Sequence, residues 1–230
     1  MTRRVTIASG KSQILLPDGG TYEAGDVVDL TDDQFALIPA KWFPGTIINT
    51  GPVEAEVRTY RCTPSAAGAA TVHAAVTDNG SSQTITTGIT QPDVPRNVSA
   101  TAGGTAGDIK AIQVIVHGTN ADDEVISETL PAFTVNTAGI VVGDKAFKTI
   151  TSYVIPAHDG TGATTALGRG SKLGLPRKLT RNTVLAAYLN GALEGTAPTV
   201  TVDDNELEKN TVLLNSSLDG NAVVIDYYDS

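Results

Sequence analysis

The sequence predicts an all-β protein, a β-sandwich preceded by a small β-rich module with one short helix. Three observations carry that expectation. Short apolar/polar alternations recur along the chain, with Gly, Asn, Asp and Pro between them. Aromatic residues make up only 5% of the chain while Thr, Val, Ala and Gly abound, a bias toward strands and tight turns. A single segment carries helix-start chemistry.

Residues 1–52 read as a module of their own. Arg4-Val-Thr-Ile alternates as a strand, Gln13-Ile-Leu-Leu-Pro as another, and Asp18-Gly-Gly marks a turn. Thr31 with Gln34 three residues on forms a capping box, Asp32 and Asp33 complement the helix dipole, and Pro39 closes the turn, so the helix is short. Trp42 and Phe43 beside it have two readings, the core of this module or a knob that docks on a neighbouring subunit.

Residues 53–230 read as one sandwich domain. Alternation places strands at 53–62, 73–76 and 82–89, with Asp78-Asn-Gly-Ser as a hairpin-type turn. Gln91-Pro-Asp-Val-Pro-Arg-Asn-Val reads as a loop leading into 109–118, the strongest strand signal in the chain, which returns through 124–131. Further strands are expected at 148–155, 163–167, 184–189, 199–202, 211–214 and 222–228. Spacing of this kind with polar turns is what a β-sandwich produces.

Composition narrows the function classes. A net charge of −9 argues against broad nucleic-acid affinity, which needs clustered excess Lys and Arg. No apolar run approaches the ~20 residues of a membrane helix, and Met1-Thr-Arg-Arg is followed by alternation instead of a signal-peptide core. The single cysteine, Cys62, allows no intramolecular disulfide and reads as a half-buried strand residue.

The segment 160–176 draws attention because it holds five glycines and two basic side chains but no carboxylate, cysteine or histidine. It reads as a glycine-shaped loop built for contact, and Gly168, Gly170 and Gly174 as places of tight turning or close backbone approach at an interface. Arg169, Lys172, Arg177, Lys178 and Arg181 form a local basic group in an acidic chain. They have two readings, an ordinary solvated loop or a face that meets an acidic partner.

No motif assigns catalysis, a cofactor or a metal. His73 and His117 fall in expected strands and His158 in a turn, and neither HExxH nor GxSxG spacing occurs. Gly160-Thr-Gly-Ala-Thr-Thr lacks the last glycine of a dinucleotide fingerprint, and Asp203-Asp-Asn-Glu and Asp122-Asp-Glu lack the alternating ligands of a calcium loop. The chain is therefore expected to be neither an enzyme nor a cofactor or metal carrier.

Gln91-Pro-Asp-Val-Pro-Arg-Asn-Val, Glu128-Thr-Leu-Pro, Gly143-Asp-Lys-Ala-Phe-Lys-Thr-Ile-Thr-Ser, Gly168-Arg-Gly-Ser-Lys-Leu-Gly-Leu-Pro and the closing Asn210-Thr-Val-Leu-Leu with Val223-Val-Ile-Asp-Tyr-Tyr occur in an order that resembles tailed-bacteriophage virion proteins. The resemblance covers about residues 85–230. It implies a capsid decoration or minor capsid protein, made in the host cytoplasm and bound to the major capsid protein on the capsid exterior, often as a homotrimer. Two alternatives stand beside it: a tail or neck component, and a carbohydrate-binding module on the virion surface.

Overall fold

The computed structural model describes residues 2–7, 14–38, 47–52 and 57–228. They divide into two compact units, Met1–Glu56 and Val57–Ser230. The division falls four residues beyond the composition change at residue 53. Trp42 and Phe43 lie outside the described residues.

The first unit runs β1 (Thr2–Ile7), β2 (Ile14–Leu15), β3 (Thr21–Tyr22), β4 (Val27–Thr31), α1 (Asp32–Ala36) and β5 (Ile47–Pro52). β1 lies antiparallel between β4 and β5. Alternation in β4 turns Val28 and Leu30 inward, where they meet Val5, Ile7, Leu16 and Ile38. The helix begins as its sequence dictates: the Gln34 N–H donates to the Thr31 hydroxyl at 3.2 Å, and the Thr31 N–H donates to the Gln34 side chain at 2.9 Å. Asp18 makes the tight turn by accepting the Gly20 N–H at 2.9 Å.

The second unit runs β6 (Val57–Cys62), β7 (Gly68–Thr77), β8 (Gln83–Ile85), β9 (Arg96–Gly104), β10 (Ile115–Thr119), β11 (Val125–Thr129), β12 (Gly139–Val142), β13 (Thr149–Ile155), β14 (Ala163–Gly174), β15 (Val184–Leu189), β16 (Ala192–Leu193), β17 (Thr199–Thr201), β18 (Thr211–Leu213) and β19 (Val223–Tyr228). One sheet orders β12-β9-β14-β18-β17, with β7 also on β14. A second orders β11-β10-β13-β8 and a third β16-β15-β19-β6.

The first of these sheets serves two cores. Val98 and Ala100 of β9 and Ala163 and Leu167 of β14 pack against Val116, Ile150 and Tyr153 of the second sheet. Farther along, Leu173 and Val212 pack against Ala187, Val223, Ile225 and Tyr227 of the third. Two sandwiches thus share one sheet, and β14 passes from one core to the other.

β14 contains the strand expected at 163–167 and corrects the reading of the rest of 160–176 as a contact loop. It is the longest strand described, with β9 along one edge and first β7, then β18, along the other. Glycine misled the reading because its usual meaning is a turn. At Gly168 the requirement is close approach, since a Cβ there would stand 2.0 Å from the Gly68 carbonyl oxygen of β7. The backbone approach anticipated for this residue lies inside the sheet.

Three further expectations are revised. Residues 96–104 form β9, whose Val98, Ala100 and Ala102 alternate inward. Of the strand expected at 109–118 only the second half forms, as β10. Ile109, Ile112 and Val114 all enter the core, and their unequal spacing does not fit the two-residue period of a strand. β12, which had no place in the expected strand order, forms the outer edge of the shared sheet. Cys62 is half-buried in β6, and burial pushes its thiol up. Among the described residues no helix is long and apolar enough to cross a membrane.

Candidate partner-binding groove

Charge chemistry in the second unit concentrates where the two cores meet. Arg96 opens β9 with its side chain fully buried. Its Nε donates to the Gly170 carbonyl of β14 at 2.8 Å and one terminal nitrogen donates to the Ser65 carbonyl at 2.9 Å. The same nitrogen meets an Asp93 oxygen at 3.1 Å. Burial pulls the Arg96 guanidinium below its ordinary pKa, and Asp93 opposes that pull. Burial works against ionisation of Asp93, but the Ser65 N–H at 2.6 Å and the Arg96 charge outweigh it and hold the carboxyl low.

Asp93 serves a second arginine. Arg169 of β14, its side chain 15% exposed, approaches the other Asp93 oxygen at 3.5 Å. The Arg169 Nε is buried with no hydrogen-bond partner. Two guanidinium groups therefore share one carboxylate, and the surplus positive charge sits in a poorly solvated place.

On the opposite face of the same sheet lies a groove of about 350 Å³. Asn97 and Ser99 of β9 and Gly170 of β14 line it with small side chains; Ile140 and Val142 of β12 supply apolar surface. Lys172 brings a charged side chain. The Asn97 amide fixes the local backbone by donating to the Gly143 carbonyl at 2.8 Å and accepting the Lys172 N–H at 2.9 Å. The Lys172 ammonium pairs with Asp144, whose side chain is mostly exposed.

β12 adds a second kind of valence. The Gly143 N–H donates to the Val98 carbonyl of β9, so in this antiparallel register the N–H and C=O groups of Ile140 and Val142 point away from β9. Among the described residues no strand pairs with that outer edge. Both side chains are also open, at 55% and 43% exposure.

Of the five basic residues singled out in the sequence, the structure places Lys172 at the groove, while the Arg169 side chain turns to the opposite, core-facing side of β14 toward Asp93. Arg177, Lys178 and Arg181 lie exposed on the segment between β14 and β15, outside the groove lining. Arg96, Asp93, Ile140 and Val142 were missed. Arg96 and Asp93 stood inside a Pro-bracketed stretch read as a loop. The usable signal was the alternation that begins at Arg96, with Val98, Ala100 and Ala102 at every second position.

A second apolar cavity, of about 250 Å³, lies among Val184, Leu185, Leu193, Pro198 and Val200, and brings no cation with it.

Elsewhere among the described residues, Thr101 Oγ1, Glu128 Oε2 and Tyr153 Oη are buried without a hydrogen-bond partner, while other polar groups bond internally. Lys145 is held by Glu206 at 2.6 Å and Glu208 at 3.0 Å, and Glu208 also accepts from the Asn120 amide at 3.3 Å. His73 packs edge-on against Tyr153, and the backbone of His117 lies in the β10–β13 ladder opposite Ser152. His158 is 6% exposed. Its Nδ1 accepts the Lys110 N–H at 3.2 Å, which makes Nε2 the donor to the Thr165 hydroxyl at 2.9 Å.

Comparison with known protein families, curated proteins and solved structures finds no match.

Proposed function

We propose that the chain is a noncatalytic structural component of a tailed-bacteriophage virion that binds the major capsid protein on the outer capsid surface and reinforces the head, assembled as a homotrimer. The observation that carries this reading is the groove. In a chain of net charge −9 it gathers a basic side chain, Lys172, exposed apolar side chains and an unpaired strand edge at one place, which is the composition of a docking surface. The ordered resemblance over residues 85–230 supports the virion setting. Two sandwiches sharing one sheet suit a reinforcing role, because load on either core passes directly into the other through β14.

Many copies on one particle make weak individual contacts sufficient. The test is a comparison of particles with and without the protein. Particles lacking it assemble but lose tolerance to heat, and the protein is recovered in hundreds of copies from purified heads. Its absence from heads, recovery in ring stoichiometry from isolated tails, or unchanged particle stability would overturn the reading.

A further inference from the structure

We propose that Lys145 and Asn120 join in an intramolecular isopeptide bond, made by the chain itself with Glu208 as the acid–base group, which ties the turn after β10 to the segment between β12 and β13. The inference goes beyond the docking role above and does not rest on it.

Three observations carry it. One buried carboxylate serves both partners: Glu208, 6% exposed, holds the Lys145 Nζ at 3.0 Å on Oε1 and accepts from the Asn120 Nδ2 at 3.3 Å on Oε2. Among the described residues no other lysine-paired carboxylate also accepts from a side-chain amide. The Asn120 carboxamide is already polarised. Its Oδ1 accepts the Asp122 N–H at 3.0 Å and the Glu124 N–H at 3.1 Å, two donors placed where negative charge collects when a nucleophile adds to Cγ. Its second N–H donates to Glu124 at 2.9 Å, and the side chain is fully buried, away from competing water. Backbone bonds hold the three segments together. The Ala146 N–H donates to the Glu208 carbonyl at 2.7 Å and the Lys148 N–H to the Thr119 carbonyl at 2.8 Å, so the reacting side chains meet without a search.

The step balances within these groups. Glu208 takes a proton from the Lys145 ammonium, the freed lone pair forms a bond from Nζ to Cγ, and the carbonyl electron pair moves onto Oδ1 between its two N–H donors. Glu208 passes its proton to Nδ2 and takes a second from Nζ. As the Oδ1 pair returns, the Cγ–Nδ2 bond breaks with its electrons on nitrogen, the second proton follows, and ammonium leaves. Glu208 ends as the carboxylate it was, and the event occurs once per chain.

Glu206 restrains the reaction. Burial works to lower the Lys145 pKa, but Glu206 at 2.6 Å and Glu208 outweigh it and hold the ammonium above its ordinary value. Attack therefore runs through the minor neutral form and closure is slow.

The test is intact mass of the full-length chain, denatured after incubation for days in mildly alkaline buffer, followed by peptide mapping. Closure removes the mass of one ammonia. Cleavage after Glu124 and Glu128 puts Asn120 and Lys145 on separate peptides, and closure leaves them joined. Glu208→Gln and Lys145→Arg abolish the joined pair; Glu206→Gln, with one carboxylate fewer beside the amine, closes several-fold faster. Should Glu208→Gln disturb folding, Lys145→Arg, which keeps the cation, carries the same comparison. Full mass retained by both the parent and Glu206→Gln overturns the proposal, as does joining that survives Lys145→Arg. Ammonia lost without joined peptides would assign the change to succinimide at Asn79-Gly80 or Asn190-Gly191, and also overturns it.

Discussion

The Arg96 guanidinium and the Gly170 carbonyl, 74 residues apart in the chain, are joined by a buried hydrogen bond of 2.8 Å. This bond ties the start of β9 to the point where β14 leaves one core for the other. It also sets the charge balance between the two cores, because Arg96 takes most of Asp93 and leaves Arg169 short of a counter-charge.

Removal of that counter-charge has a defined cost. Asp93→Asn leaves a fully buried guanidinium without its carboxylate and destabilises the chain by about 3–5 kcal/mol. Urea unfolding followed by tryptophan-independent circular dichroism measures it, and a loss below about 1 kcal/mol would mean that the two carbonyl contacts suffice.

Much of the fold was legible in the sequence, and the exceptions share a cause. The alternation of 184–189 and 222–228 and the capping box at Thr31 and Gln34 correspond to β15, β19 and α1, because in each the local pattern and the tertiary environment agree. The segment 91–104 is different. Gln91 completes the backbone hydrogen bonding of Ile150 on β13, Asp93 and Arg96 pair in the interior, and Asn97 holds Gly143. Its polar residues face inward to satisfy distant backbone groups, and no local pattern reports such long-range pairing. The groove shared this fate. Lys172 was visible as charge, but the β12 surface beside it is brought there by sheet order alone.

His158 makes stability depend on pH. Burial lowers its pKa below the ordinary 6.5, against the opposing charges of Asp78 and Asp159. At neutral pH the imidazole is uncharged in both states and its contribution is complete. As pH falls below 6.5 the unfolded chain takes up the proton first, so stability declines until the folded value is reached and then levels off. His158→Gln keeps an acceptor and a donor but cannot titrate, and the difference between its stability profile and that of the parent over this range isolates the effect. Parallel profiles would contradict it.

Close strand approach gives a paired test at two glycines. Gly168→Ala forces β7 away from β14 and costs about 1–3 kcal/mol, because the new Cβ meets a backbone oxygen. Gly107→Ala, with nothing within 4 Å of its Cβ, stays within about 0.5 kcal/mol of the parent. Equal thermal unfolding of the two variants would show that β7 shifts freely.

In the first unit, Thr31→Ala removes the hydroxyl that receives the Gln34 N–H and costs about 1 kcal/mol locally. Faster hydrogen exchange at the Gln34 amide, with β9 unchanged, is the expected readout.

A side-chain-resolution reconstruction of intact particles carrying the chain tests the central claim most directly. The account predicts density for it on the head exterior, with capsid protein covering the groove at Ile140, Val142 and Lys172. Density confined to the tail, or a groove and β12 edge facing open solvent on the head, would contradict it.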